Sequence, residues 1–357
     1  MRYYLVWVRS IRYRGNEALT YQYDGNLAVG SIVHVPLKNE RVLGIVIDSS
    51  KRPKFATKPV EDVLPIRPLP SQVLSLAGWV ATFYPSSIGV VTSLVIPKEI
   101  RSRRIMIEET AKLATPLPPL TTEQAVAVRT IKNPDTYLLH GRTGSGKTRV
   151  YSEIARSVLS TSRSVLVLVP EIGLTSQLAA NFEEQFPGKV VVLHSRQTAV
   201  QRQEVWLRIA NSLQPLVVIG PRSALFSPLY SIGAIIIDEA HDQAYKQEQA
   251  PYYHALRVAA QLRALHNAIL LLGSATPSVT DYYVAQQKQK SIITLHQLAK
   301  KSDYDKKITV VDLKDRSQFT RAPHISLPLA KAISAALERG EQALLYLNRR
   351  GTARVAL

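Results

Sequence analysis

Apolar and polar residues alternate in short runs through the first hundred positions, at Arg2–Val8, Leu19–Tyr23, Ser31–Pro36 and Arg41–Asp48. Breaks fall at Gly15, Gly25, Gly30 and the Lys38-Asn39-Glu40 connection. A period of two sends successive side chains to opposite faces of a strand, so residues 1–105 are expected to form a small β-rich domain. Between Thr110 and Leu120 the alternation is lost, and Pro116, Pro118 and Pro119 resist both helix and central strand. Residues 106–120 therefore read as a Pro-rich linker. Beyond it the runs become continuously apolar, at Thr136–His140, Ser164–Val169, Lys189–Leu193, Leu216–Ile219, Ala234–Ile237 and Ala268–Leu272. Such runs suit strands covered on both faces. Most are separated by stretches of helical period, such as Val150, Ile154 and Val158, which predicts right-handed crossovers and a doubly wound parallel sheet over residues 121–295. Past that point, candidate strands at Lys307–Asp312 and Gln342–Leu347 flank a helix near Leu327–Glu338, the expected start of a second α/β lobe over 296–357.

Composition narrows the partner. The chain has 45 Lys and Arg against 27 Asp and Glu, a formal net charge of +18, which favours a polyanion and above all nucleic acid. Lys51–Lys58 and Lys98–Arg104 each carry four basic residues, suited to a backbone-binding groove or simply to solvated surface. With no cysteine, there is neither a disulfide framework nor a thiolate metal site. Apolar stretches such as Val165–Val169 and Ala268–Leu272 are far shorter than the roughly 18–20 residues a membrane span needs. Met1–Tyr4 runs into a polar, basic segment unlike a secretory signal, so a cytoplasmic location with no membrane partner is expected.

The candidate chemistry lies in the second region. Gly141-Arg142-Thr143-Gly144-Ser145-Gly146-Lys147-Thr148 fits the phosphate-binding pattern, after a strand and before a helix. Glycines let backbone N–H groups curl round the phosphates, and the helix start adds its positive end. Lys147 reaches the terminal phosphates and Thr148 ligates magnesium. About ninety residues on, Ile235-Ile236-Ile237 delivers Asp238 and Glu239 to the carboxyl edge of the sheet. Asp238 is expected to hold magnesium through water and Glu239 to polarise the water attacking the γ-phosphate. His241 is read either as a coupling residue or as a structural hydrogen-bonding one. Gln124 either reads the adenine edge or closes a capping box with Thr121.

Further blocks agree in order and spacing: Val169-Pro170-Glu171-Ile172-Gly173-Leu174-Thr175, Leu193-His194-Ser195, Gly220-Pro221-Arg222-Ser223-Ala224-Leu225-Phe226, Gly273-Ser274-Ala275-Thr276-Pro277-Ser278 and Leu347-Asn348-Arg349-Arg350-Gly351. Over Thr121–Gly351 the chain resembles superfamily 2 DNA helicases and, within them, the primosomal protein N′ (PriA) family of replication-restart helicases. The resemblance implies a RecA-like P-loop NTPase lobe that uses ATP and Mg2+ in 3′-to-5′ unwinding. It also implies forked or single-stranded DNA, other primosome proteins and single-stranded-DNA-binding protein as partners. By carry-over, Thr175, Arg222 and Ser223 contact the DNA backbone, while Ser274, Ala275 and Thr276 link nucleotide state to lobe movement. The stretch from Tyr245-Lys246 to Tyr252-Tyr253-His254 is similar to the family's aromatic-rich loop, whose rings stack unpaired bases; the alternative is a surface loop that packs its tyrosines inward.

The departures are specific. Ala240 stands where the family usually has a second glutamate, and Arg142 and Arg149 stand where valine and glutamate are common. In the first domain Lys58 matches a basic residue used near the DNA 3′ end. Leu19-Thr20 and Lys38, however, replace a Phe-Asp or Phe-Thr pair and a glycine of the 3′-end pocket. About twenty residues separate Ile100 from Thr121, too few for the family's winged-helix domain. The family continues well past Arg349-Arg350-Gly351 with a cysteine-rich zinc insertion and an arginine that completes the ATP site. The sequence therefore reads as a truncated or partial replication-restart ATPase, not expected to unwind DNA alone, with a fork-binding ATP-dependent scaffold as the alternative.

Overall fold

Residues 2–50 form four strands, β1 (Arg2–Val8), β2 (Leu19–Tyr23), β3 (Ile32–Leu37) and β4 (Glu40–Ser50), extended by two short edges, β5 (Lys58–Pro59) and β6 (Asp62–Val63). Their order is β5-β2-β1-β4-β3-β6, antiparallel in the centre. The computed structural model describes residues 1–100, 117–170, 172–298, 308–319 and 325–346, without the side chains of 172–176. Alternation decides which of two cores each side chain of this sheet enters. Tyr4, Val6 and Val8 of β1 join Val33, Val35 and Val46 in one core. Ile32, Leu43 and Ile45, displaced by odd steps on the same strands, enter another. Over that second face lie α1 (Ser71–Phe83) and α2 (Ile88–Val95), two helices that a purely β-rich reading of the first hundred residues does not anticipate. Val73, Leu74, Leu76, Ala77 and Val80 are buried in α1, the i, i+3, i+4 spacing of an apolar helix face.

Helix α3 (Thr122–Thr130) precedes seven parallel strands: β7 (Thr136–Gly141), β8 (Ser164–Leu168), β9 (Val190–Val192), β10 (Val217–Gly220), β11 (Ile232–Ile237), β12 (Ile269–Ser274) and β13 (Ile292–Leu295). They run in the order β13-β7-β12-β11-β8-β10-β9. Between them come α4 (Lys147–Ser160), α5 (Ile172–Gln185), α6 (Ala199–Asn211), α7 (Ala255–His266) and α8 (Val279–Gln287). All six expected strands form. The seventh, β13, is a short edge strand whose half-buried pattern is weaker than that of the central runs. The central strands are covered on both faces, as their unbroken apolar runs require. Val165 and Val167 of β8 face one core with Ile236 and Leu271, while Leu166 and Leu168 face the other with Ile235 and Ile237.

One of these cores is shared. Leu76, Val91 and Ile45 from the first hundred residues pack in the same cluster as Leu168, Ile235 and Val258. Trp206 Nε1 donates to Val95 O at 2.8 Å, and the Arg67 guanidinium lies 3.4 Å from the centre of the Tyr230 ring. Met1–Lys301 accordingly forms one compact unit, in which each region also keeps a core of its own.

A second unit covers Ser302–Leu357. Its expected helix forms as α9 (Leu327–Glu338). The strands expected around it do not appear at 308–312 or 342–346. There Ile308, Val310, Leu344 and Tyr346 are exposed, and a strand needs a hydrogen-bonded neighbour to hold its extended backbone. Lys307 and the Leu347–Gly351 block lie outside the described residues.

Candidate functional site

The phosphate-binding loop leaves β7 at Gly141 and enters α4 at Lys147, with Gly144 at φ +84° and Gly146 at φ +80°. Those left-handed positions are where glycine costs no strain. At Gly141 a Cβ would sit 2.6 Å from Ser145 Oγ, so the loop can curl this tightly only with hydrogen there. Lys147 is buried and donates from Nζ to Gly141 O at 2.9 Å, with Glu239 Oε1 3.6 Å away. Ser145 Oγ is buried without a hydrogen-bond partner. A concave run of backbone with a lysine ammonium and an unsatisfied hydroxyl fits the oxygens of a phosphate chain.

Gln124 does two things at once. Its Oε1 accepts from Thr121 N at 3.1 Å, and its own N–H donates to Thr121 Oγ1 at 3.3 Å, closing the capping box that starts α3. Its Nε2 donates to Ser145 O at 3.2 Å, tying that helix start to the phosphate loop.

β11 ends against the same loop. Asp238 N donates to Leu168 O, and Asp238 Oδ1 accepts the Tyr151 hydroxyl at 2.9 Å. Burial raises the Asp238 carboxyl above the usual carboxylate range and the like charge of Glu239 adds to this, while the Tyr151 hydrogen bond and Lys147 oppose it. Glu239 takes φ +45°, a left-handed conformation that turns its carboxylate back toward Lys147. Beside it, His241 Nδ1 lies 2.7 Å from Ser274 Oγ and 3.5 Å from Glu239 Oε2. Ser274 Oγ also accepts from Thr276 N at 3.0 Å, and Ala240 N donates to Gly273 O. The chain thus gathers Lys147, Asp238, Glu239, His241 and Ser274–Thr276 at one sheet edge. A cation held between a hydroxyl and a carboxylate fits the donor set of Thr148 and Asp238. Tyr151 is the residue a motif search passes over. Its signal is spacing, since position i+4 from Lys147 falls on the same helix face.

The nucleic-acid residues are more dispersed. Arg222 and Ser223 open a short 3-10 turn, Arg222–Phe226, with Ser223 exposed. The Arg222 guanidinium donates to Gln247 Oε1 at 2.6 Å and to Ala244 O, so it is held at the start of the loop that follows β11. Within that loop Tyr252 is 58% exposed and Lys246 is exposed, its ammonium on Tyr252 O. Tyr245 and Tyr253 correct the stacking expectation. They are 0% and 1% exposed, Tyr245 bonded to Asp238 O and Leu168 O and Tyr253 packed edge-on against Phe226. Burying these large rings outweighs presenting them, and the phenol of Tyr245 finds partners inside. Thr175 sits in the first turn of α5, with its side chain outside the described residues.

In the first region Lys58 is exposed on β5 and its Nζ donates to Lys38 O at 3.1 Å. Lys38 adopts φ +54°, the conformation that favours the glycine it replaces. Lys51, Arg52 and Lys54 are exposed nearby in sequence, while Arg101, Arg103 and Arg104 lie outside the described residues. No candidate metal cluster of His, Cys, Asp and Glu occurs among the described residues.

Two family matches divide the chain: a 3′DNA-binding domain (3′BD) over residues 10–97 and a DEAD/DEAH box helicase over residues 121–283. The replication restart protein PriA of Rickettsia conorii is 34% identical over 340 residues, 94% of this chain and 52% of that protein. PriA of Bacillus subtilis is 36% identical over 246 residues, covering 67% of this chain and 30% of its own length. PriA of Haemophilus influenzae is 43% identical over 223 residues, 62% and 30% respectively. The chain therefore spans about half the length, or less, of these curated relatives. Among solved structures, the Hef helicase domain of Pyrococcus furiosus matches 50% of this chain and 38% of its own, at 21% identity and a TM-score of 0.39.

Proposed function

Because this chain belongs to the replication restart protein PriA family, joining a 3′DNA-binding domain to a DEAD/DEAH box helicase domain, we propose that it serves as the ATP-binding, DNA-contacting part of a 3′-to-5′ DNA helicase of replication restart. The observation that carries this reading is the convergence of the Lys147 ammonium, the glycine-lined loop and the Asp238-Glu239 pair at one sheet edge.

In this reading Gly141, Thr143, Gly144, Ser145 and Gly146 present backbone N–H groups to the phosphates of ATP, and Gln124, its amide taken by Thr121 N and Ser145 O, braces the loop against the start of α3. An incoming phosphate competes with Gly141 O and Glu239 for Lys147 Nζ, which transfers to it. Thr148 and Asp238 hold magnesium. When bound with ATP, magnesium neutralises charge on the β- and γ-phosphate oxygens. Glu239 orients and polarises the attacking water. His241 and Ser274–Thr276, bonded to one another beside Glu239, relay the state of the site. Residues 1–105 and 121–295 supply the DNA-binding and ATP-binding parts, joined by 106–120. Thr175, Arg222, Ser223, Lys246, Tyr252 and Lys58 contact DNA. Primosome proteins and single-stranded-DNA-binding protein are the further partners of this function.

Steady-state ATP hydrolysis with and without forked DNA tests the reading. DNA-stimulated turnover abolished by Lys147→Ala is expected. DNA binding that persists unchanged in Lys147→Ala without any nucleotide binding in the unsubstituted chain would overturn it in favour of a scaffold.

A further inference from the structure

Three of the sequence blocks meet at one phenol. Tyr151 lies on α4, four residues after Lys147 and three after Thr148, so its ring shares the helix face of both. It is 0% exposed, and its hydroxyl donates to Asp238 Oδ1 at 2.9 Å. The third block, Gly273–Ser278, contributes space. A Cβ at Gly273 would lie 1.7 Å from the Tyr151 hydroxyl oxygen and 2.8 Å from Cζ. Position 273 therefore carries no side chain where the phenol passes to reach Asp238. The main chain of Asp238 is held as well, since Tyr245 OH donates to its backbone carbonyl.

We propose that Tyr151 is a positioning residue for the magnesium of the bound nucleotide, its hydroxyl locking the Asp238 carboxylate in register with Lys147 and Thr148 on the same helix. The inference rests on the nucleotide reading above and deepens it. A carboxylate freed of this bond swings about its side-chain torsions, and a cation that needs near-octahedral oxygen geometry tolerates such swinging poorly. Because Tyr151 is fully buried and its hydroxyl is spent on Asp238, its loss is expected to act on the cation and not on the nucleotide's own contacts with the loop.

The test is a titration of the whole chain with a fluorescent, non-hydrolysable ATP analogue at a series of magnesium concentrations. Tyr151→Phe removes one oxygen atom and keeps the packing of the ring. The expected result is a magnesium requirement raised on the order of 10-fold, the scale of one hydrogen bond to a charged group. Analogue binding in EDTA is expected to stay unchanged, and excess magnesium to restore the full signal. Gly273→Ala, which displaces the hydroxyl, is expected to reproduce the shift. An unchanged magnesium requirement in Tyr151→Phe, or equal weakening with and without magnesium, overturns the inference while leaving the nucleotide reading intact. Absence of magnesium-dependent binding in the unsubstituted chain overturns both.

Discussion

Leu76 of α1 is completely buried in the core that the first hundred residues share with the parallel sheet, among side chains that include Val258 and Ile237. Leu76→Ala removes three methyl or methylene-scale carbons from a site walled by both regions, which leaves little freedom to collapse. The expected loss is about 3–4 kcal/mol, within the range of buried leucine truncations. For a unit of this size, a urea slope of about 3 kcal/mol per molar turns that into a midpoint lowered by about 1 M. The assay is urea unfolding followed by tryptophan fluorescence. Trp7 and Trp79 report on the first region and Trp206 on the parallel sheet, so variants that each retain one tryptophan report the two regions separately. If the core is one structure, all probes shift together with an unchanged slope. Ser75→Ala, at the exposed neighbouring position, shifts by less than about 0.5 kcal/mol. Two transitions, with Leu76→Ala moving only that of Trp7 and Trp79, would refute the reasoning and restore independent domains.

Acid should weaken the same unit through His266, whose pKa is lowered to about 4, first by burial and then by Arg163. Between about pH 6.5 and 4 the unfolded chain binds a proton that the folded chain refuses. Stability present above that window is therefore lost as pH falls through it, by about 2–3 kcal/mol; urea midpoints measured across the range should flatten in His266→Gln. Gly30→Ala is expected to cost at least about 2 kcal/mol, because φ is +91° and the new Cβ would lie 2.3 Å from Leu69 O; an unaltered thermal midpoint would contradict the backbone geometry. Arg222→Ala should weaken single-strand binding evenly across sequences and reduce the salt slope by about 1, as measured by anisotropy at several salt concentrations.

Much of this protein is written locally. Backbone hydrogen bonding and side-chain period are nearest-neighbour properties, so the alternating run at Arg2–Val8 and the unbroken runs at Ser164–Val169 and Ala234–Ile237 declare half-covered and fully covered strands before any partner is known. The phosphate loop is equally local, because its curl depends on glycines within eight consecutive positions, and Asp238-Glu239 follows its strand directly. Tertiary structure decided what depends on a surface arriving from elsewhere. The apolar face of α1 does not say that it will close on α7 and α2 rather than on its own sheet alone, so the shared core was invisible in the sequence. The loop's tyrosines carry rings suited to bases and to cores alike, and only the packing of Phe226 and the carbonyls of Asp238 and Leu168 sent Tyr245 and Tyr253 inward while leaving Tyr252 out. Tyr151 reads as one more helix-face residue until β11 brings Asp238 to its hydroxyl, 87 positions away in the chain, because a hydrogen bond depends on distance in space and the sequence records only distance along the chain.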